Sequence, residues 1–256
     1  MDQAQPLVTA LMALAFCAVH LFVGQLRFLE VTPRSRWLSF AGGVAVGYVF
    51  LHIMPEIGAH GDAFREATGL DTLFAESMVW TLGLAGLILF YGLERAVVIS
   101  RGNDRRGESE GEGASRPEPG IFWVHIGASA VLMTIVAYLL NHREETGAAG
   151  LALFFGALLL HFVTADFASR GHFPELYQRA GRWVLVAATL VGWVVGLLLE
   201  LPELLIGCLF AFVGGGMILI ALKEELPEQR QSSFVPFLVG AAFYAVLVLG
   251  EQWVTG

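Results

Sequence analysis

Charge is what this sequence has least of. Only 15% of its 256 residues are Asp, Glu, Lys or Arg, against about 25% in an ordinary soluble domain. The balance is acidic, with a net charge of -8. No basic patch exists to follow a phosphate backbone, which excludes nucleic acid as a partner. The two cysteines, Cys17 and Cys208, both fall inside apolar runs, so no disulfide framework is expected and the redox compartment stays open. The first apolar run follows Asp2 with no basic flank, and reads as a retained span instead of a cleaved signal peptide. What the chain has in excess is apolar residues, 56% of the total, with a mean hydropathy of +0.66. They come in long blocks, and a polytopic all-α membrane protein is the class that fits.

Eight blocks are each near the ~20 residues that cross a hydrocarbon core. They are Leu7–Leu29, Trp37–Ile57, Leu73–Ile99, Ile121–Leu140, Ala149–Ala168, Trp183–Leu199, Leu201–Leu222 and Phe234–Val254, called spans 1–8. Together they leave no room for a soluble domain, so residues 1–256 form a single transmembrane domain in the lipid bilayer. Trp37, Trp123, Trp183 and Trp253 sit at block ends, where an aromatic belt places them. The 1–2, 3–4, 5–6 and 7–8 connections carry 13 of the Lys and Arg residues, and only Arg65 and Arg143 lie elsewhere. The positive-inside rule then puts both termini outside, in a plasma membrane or bacterial inner membrane. Ser100–Gly120 holds five Gly, two Pro, four Arg and five acidic residues. Such a segment buries too little to order itself, so a flexible cytoplasmic loop is expected there.

An internal repeat is also visible. Span 2 reads GGVAVGYVFLHIMPE (Gly42–Glu56) and span 7 reads GGGMILIALKEELPE (Gly214–Glu228). Gly42-Gly43 and Gly214-Gly215 stand at one offset before Pro55 and Pro227. The two spans run in opposite directions, as members of an inverted-topology repeat do. Chance recurrence of two residues common in membrane helices is the competing explanation.

Ionisable groups inside spans usually face a bundle interior or a wet cavity. Here they are His20, His52, Glu56, Glu94, His125, His161, Asp166 and Glu224. Imidazole and carboxylate are ligands for zinc and similar divalent cations. His52 and Glu56 are i,i+4 on one face, and Pro55 between them frees a backbone carbonyl a turn earlier. His125 and Ser129 share a face of span 4. On span 5, His161 lies near Thr164, whereas Asp166 at i+5 points about 140° away on an ideal helix. His161 and Asp166 are therefore not expected to look into one site. His125 and His161, on neighbouring antiparallel spans, are the pair expected to share a midplane cavity. Each can equally be a hydrogen-bonded packing residue.

The motifs LHIMPE in span 2, LERA at the end of span 3, and FVGGGMILIALKEELPE in span 7 resemble the ZIP (Zrt-, Irt-like) family of divalent metal transporters. So do the low-complexity 3–4 connection and the histidines of spans 4 and 5. The resemblance covers nearly the whole chain. It implies eight spans with both termini outside, an inverted relation between spans 1–3 and 6–8, and a metal site between spans 4 and 5. In that family span 4 carries a pattern similar to His-Asn/Ser-x-x-Asp/Glu, and span 5 one similar to His-Glu-x-Pro-Glu. Here Ile126 and Ser129 follow His125, and Phe162, Thr164 and Ala165 follow His161. Both histidines remain and the motif carboxylates do not, with Asp166 one position late. The implied ligands are His125 and His161, with Asp166, Ser129 or Thr164, and separately His52 and Glu56. Zinc or another divalent cation is then a substrate; no cofactor and no enzymatic activity are expected, and a homodimer is an open option. Two other readings stay open: a ZIP-like protein that moves another solute or regulates without transport, and an intramembrane hydrolase using His125, Ser129, His161 and Asp166.

Overall fold

The computed structural model describes residues 4–26, 36–69, 71–109, 119–142, 148–225 and 233–255. Among these residues every regular element is a helix, and eight helical segments are long and apolar enough to cross a membrane. They are Pro6–Gln25, Arg36–Thr68, Thr72–Ala96, Gly120–Leu139, Gly150–His172, Pro174–Leu198, Glu203–Lys223 and Phe234–Trp253. Each overlaps one of the eight apolar blocks.

The ends differ from the blocks in instructive ways. Span 2 continues well past Ile57 and closes at Gly69, whose φ of 67° lets its N–H turn back onto the Arg65 carbonyl. Only glycine reaches that left-handed conformation without strain. Pro55 does not break span 2. Instead, Val49–Ile53 widens into one π turn, in which the Met54 N–H bonds back to the Val49 carbonyl. This turn absorbs the hydrogen bond that the proline cannot donate. Span 6 starts nine residues before Trp183, at Pro174, and carries its own π turn at Tyr177–Gly181. The helix of span 3 runs on to Ser109. The segment expected as a loop from Ser100 to Gly120 is therefore helical at its start, and Pro119 opens the next helix. Residues 110–118 lie outside the described residues.

Glycine sets the closest helix contacts. Spans 2 and 8 meet backbone to backbone: a Cβ on Gly43 would stand 2.1 Å from the Phe237 carbonyl oxygen, and one on Gly240 2.1 Å from that of Phe40. Spans 3 and 7 repeat this arrangement, with Gly86 facing the Phe212 carbonyl and Gly215 facing that of Gly83. Gly192 of span 6 does the same against Thr134 of span 4. In a bilayer, where lipid is as apolar as leucine, such close approach is a main source of helix association. One end of spans 1, 4 and 6 is tied by a polar knot. Trp193 Nε1 donates to Thr9 Oγ1 at 3.1 Å, Thr9 Oγ1 bonds Asn141 at 2.8 Å, and Asn141 Nδ2 donates to the Trp193 carbonyl at 3.2 Å. The core lies among spans 1, 2 and 4–7, where Phe16, Tyr48, Ile126, Leu158 and Phe162 are fully enclosed. Spans 3 and 8 turn bare apolar faces outward, including Leu84, Ile88, Val246 and Leu249. Surface of that kind belongs in lipid.

Near the other end of the bundle the Lys223 ammonium of span 7 donates to Glu94 of span 3. Both side chains are mostly buried, so Lys223→Met strips the carboxylate of its main cation at a cost of about 1–3 kcal/mol. A fall of about 2–4 °C in Tm per kcal/mol is expected in a thermal melt of the purified protein. Glu94→Gln in the Lys223→Met background should recover part of that loss.

Candidate functional site

Two cavities follow one another, both walled by spans 4, 5 and 7, the first also by span 2 and the second by span 6. The larger, about 340 Å³, lies where spans 2 and 4 end and span 7 begins. Glu203, His142 and His60 line it from that end inward, Glu56 stands a turn deeper than His60, and Phe154, Leu158, Phe210 and Met217 lie among its apolar walls. One helical turn further on, a cavity of about 30 Å³ is lined by Ser129 of span 4 and by His161, Ala165, Asp166 and Ser169 of span 5. Leu158 and Val136 border the first cavity, His161 and Met133 the second. Each pair of neighbours is only one turn apart on its helix, roughly 5 Å, so the two spaces are separated by a single layer of side chains.

The smaller cavity carries the chemistry. His161 is 2% exposed, and its Nε2 has no hydrogen-bond partner among the described residues. Asp166 is 4% exposed and within electrostatic reach of His161. Its Oδ2 is held at 2.6 Å by Nδ1 of His20, a fully buried residue of span 1. The Tyr177 hydroxyl also hydrogen-bonds the Asp166 carboxylate, and this carboxylate and His161 Nε2 are the strongest donors to a cation around the cavity, with the Ser129 and Ser169 hydroxyls beside them. Among the described residues no three His, Cys, Asp or Glu side chains come together as a metal-holding group.

This geometry corrects two sequence expectations. His161 and Asp166 do line one cavity, although they stand 140° apart on the helix. The cavity abuts the whole arc between them: Ala165, Ser169 and Phe162 fall at roughly 40°, 80° and 100° from His161, and all three line it. His125, by contrast, is not paired with His161. Its Nε2 bonds the Ser169 hydroxyl at 3.2 Å, and Ser169 lies two turns, roughly 12 Å, along span 5 from His161. In antiparallel register with that contact, the span 4 residue level with His161 is Met133.

The other candidates fall into place around this. Thr164 donates to the His161 carbonyl at 2.8 Å and Ser129 to the His125 carbonyl at 3.0 Å, the local back-bonding common in membrane helices. Neither hydroxyl is held by an imidazole in these contacts. His52 and Glu56 do meet across their shared face, at 3.9 Å, and the His52 ring stacks on Tyr48 with centroids 5.3 Å apart. Only Glu56 of the two lines the large cavity. Glu224 lies in the last turn of its helix, and Pro227 and Glu228 lie outside the described residues.

Sequence reasoning missed four participants. Ser169 links the small cavity to His125, and beyond His125 the Glu94 carboxylate acts on that imidazole electrostatically. His60, His142 and Glu203 sit at helix ends, where a search for charge inside spans does not look. The pairing of His20 with Asp166 joins spans 1 and 5 and has no signature in either segment alone. Comparison with protein-family models, with curated proteins and with solved structures returns no match to the chain.

Proposed function

We propose that the chain is a ZIP-like membrane carrier of a divalent cation, zinc or one of similar ligand preference, built on an inverted repeat of spans 1–3 and 6–8. Paired packing supports the repeat. Exchanging 1 with 6, 2 with 7, 3 with 8 and 4 with 5 turns the 2–8 contact into 7–3, the 4–6 contact into 5–1, and the 2–5 contact into 7–4, and all six are present. Gly43 and Gly215, at the same offset before the two Pro-Glu pairs, occupy the glycine crossings of 2–8 and 7–3.

The observation that carries the transport reading is the buried, unpartnered His161 Nε2 facing the same small space as Asp166. An unsatisfied buried polar atom costs about 1–3 kcal/mol, and a ligand that it binds offsets this. Imidazole, carboxylate and hydroxyl suit zinc and its neighbours, and two strong donors instead of four favour release as well as capture. Polar stops continue on both sides: Glu56 and His60 in the large cavity, then His161 with Asp166, then Ser169 with His125, then Glu94. Uptake of radioactive zinc into proteoliposomes tests the reading. Saturable uptake above protein-free vesicles is expected; its absence overturns the metal cargo and leaves a ZIP-like scaffold for another solute.

In the positive-inside orientation the large cavity opens outward and the Glu94–Lys223 end faces the cytoplasm. A membrane-impermeant thiol reagent applied to intact cells should therefore label Asp2→Cys and Gly256→Cys and spare Gly111→Cys. The opposite pattern reverses the topology and the direction of the path.

A further inference from the structure

Four helices bring charged or titratable groups together one turn beyond the small cavity. Ile220 of span 7, Ser129 of span 4 and Ser169 of span 5 line that cavity. One turn further along the same helices, toward one end of the bundle, stand Lys223, His125 and His172. The Glu94 carboxylate of span 3 completes the group. Lys223 donates to it, and it lies within electrostatic reach of both His125 and His172. Its side chain is only 14% exposed and that of Lys223 25%. His125 is also within electrostatic reach of the ammonium, and its ring packs on Phe173 with centroids 6.3 Å apart. A tie between spans 3 and 7 does not account for this arrangement. Those helices already cross backbone to backbone at Gly86 and Gly215, and desolvating two buried charges offsets much of their attraction. One carboxylate and two imidazoles from three helices are a zinc-type ligand set. Among the described residues, however, they do not come together as a metal-holding group.

We propose that Lys223 is a tethered cation seated in a latent divalent-metal site made by Glu94, His125 and His172. An ammonium is a compact point charge with three donors on a flexible four-carbon stem. It holds the carboxylate without dissociating into solution, since its effective concentration at Glu94 is set by the chain that carries it. It also repels a second cation from the His125 imidazole within its reach. A divalent ion therefore does not lodge beside Glu94 in the native chain. With the ammonium removed, the carboxylate loses its main cation, and a metal that binds there draws the imidazoles onto itself. The part this gives Lys223 in transport, release in place of retention at the last carboxylate of the path, rests on the carrier reading above. The latent site itself does not.

Calorimetric titration of the full chain in maltoside micelles with zinc chloride tests the proposal, with bound zinc counted by elemental mass spectrometry after desalting. Lys223→Met and Lys223→Gln should each bind one zinc per chain more than the wild type. The gain should vanish in Lys223→Met/Glu94→Gln. In Lys223→Met/His125→Ala it should weaken by about tenfold or more, since losing a ligand costs at least what losing a supporting partner does. Glutamine keeps a neutral donor for Glu94, so Lys223→Gln carries the test if the methionine variant does not fold, and circular dichroism checks both. The count separates this proposal from the carrier reading. No zinc in the wild type beside one in the Lys223 variants overturns the His161–Asp166 site and upholds the tethered cation; one zinc in each does the reverse. No gain in either Lys223 variant, or a gain that survives Glu94→Gln, overturns the proposal.

Discussion

His161→Ala should reduce zinc uptake into proteoliposomes to the protein-free background, and Asp166→Asn should do nearly the same. The two side chains supply the strongest donors around the small cavity, and removing either leaves one such donor and two hydroxyls. Asparagine keeps an oxygen for the 2.6 Å contact with His20, so Asp166→Asn removes charge without stranding the buried imidazole. Asp166→Ala would strand it, mixing a stability loss of about 1–3 kcal/mol into the result. His20→Ala acts one step back, through the orientation of Asp166. Losses of about 10–100-fold are typical when such a supporting partner is removed, and they should appear in apparent affinity ahead of maximal rate. His125→Ala should cost least, because His125 bonds Ser169 and stands two turns from His161. If His125→Ala abolishes uptake while His161→Ala spares it, the cation is held elsewhere on the path.

The second large effect is structural. Gly215→Val should prevent assembly of the bundle, and Gly43→Val should do so as well. A Cβ at residue 215 would lie 1.8 Å from a backbone oxygen and one at residue 43 would lie 2.1 Å from another. The neighbours in both cases are main chain of another helix, not flexible side-chain tips. Overpacking of a core usually costs about 1–3 kcal/mol when side chains can yield; here two helices must part, and the cost should exceed that range. Gly127→Ala and Gly156→Ala are the controls, since nothing lies within 4 Å of a Cβ at either position. Both should be neutral or gain up to about 1 kcal/mol from reduced chain entropy in a helix. Size-exclusion profiles and thermal melts of the four variants give the comparison. Monodisperse, wild-type-like melting of Gly43→Val would show that the 2–8 crossing is looser than its glycines imply.

The spans were legible because ~20 consecutive apolar residues have one use, and the glycine crossings were foreshadowed by the paired Gly-Gly positions. Helix ends were less so. Hydropathy falls at the edge of the hydrocarbon, but backbone hydrogen bonding continues into polar sequence. The helix from Thr72 therefore reaches Ser109, and span 6 opens at Pro174. The site was half legible. Residue type singled out His161 and Asp166, and helical arithmetic then separated them by treating a site as a direction when a cavity touches an arc. His125 was grouped with His161 because both are histidines on successive spans. What decides the matter is register between antiparallel helices, set by the His125–Ser169 contact, and nothing in either segment encodes it. His20 shows the same limit: its partner lies 146 residues away.

The most direct test of the cation site is an anomalous difference map collected at the zinc absorption edge from zinc-soaked crystals of the protein. The account predicts a peak between His161 Nε2 and the Asp166 carboxylate, lost in His161→Ala crystals soaked alike. Zinc bound elsewhere in the bundle with that cavity empty, or no bound zinc at all, would contradict it.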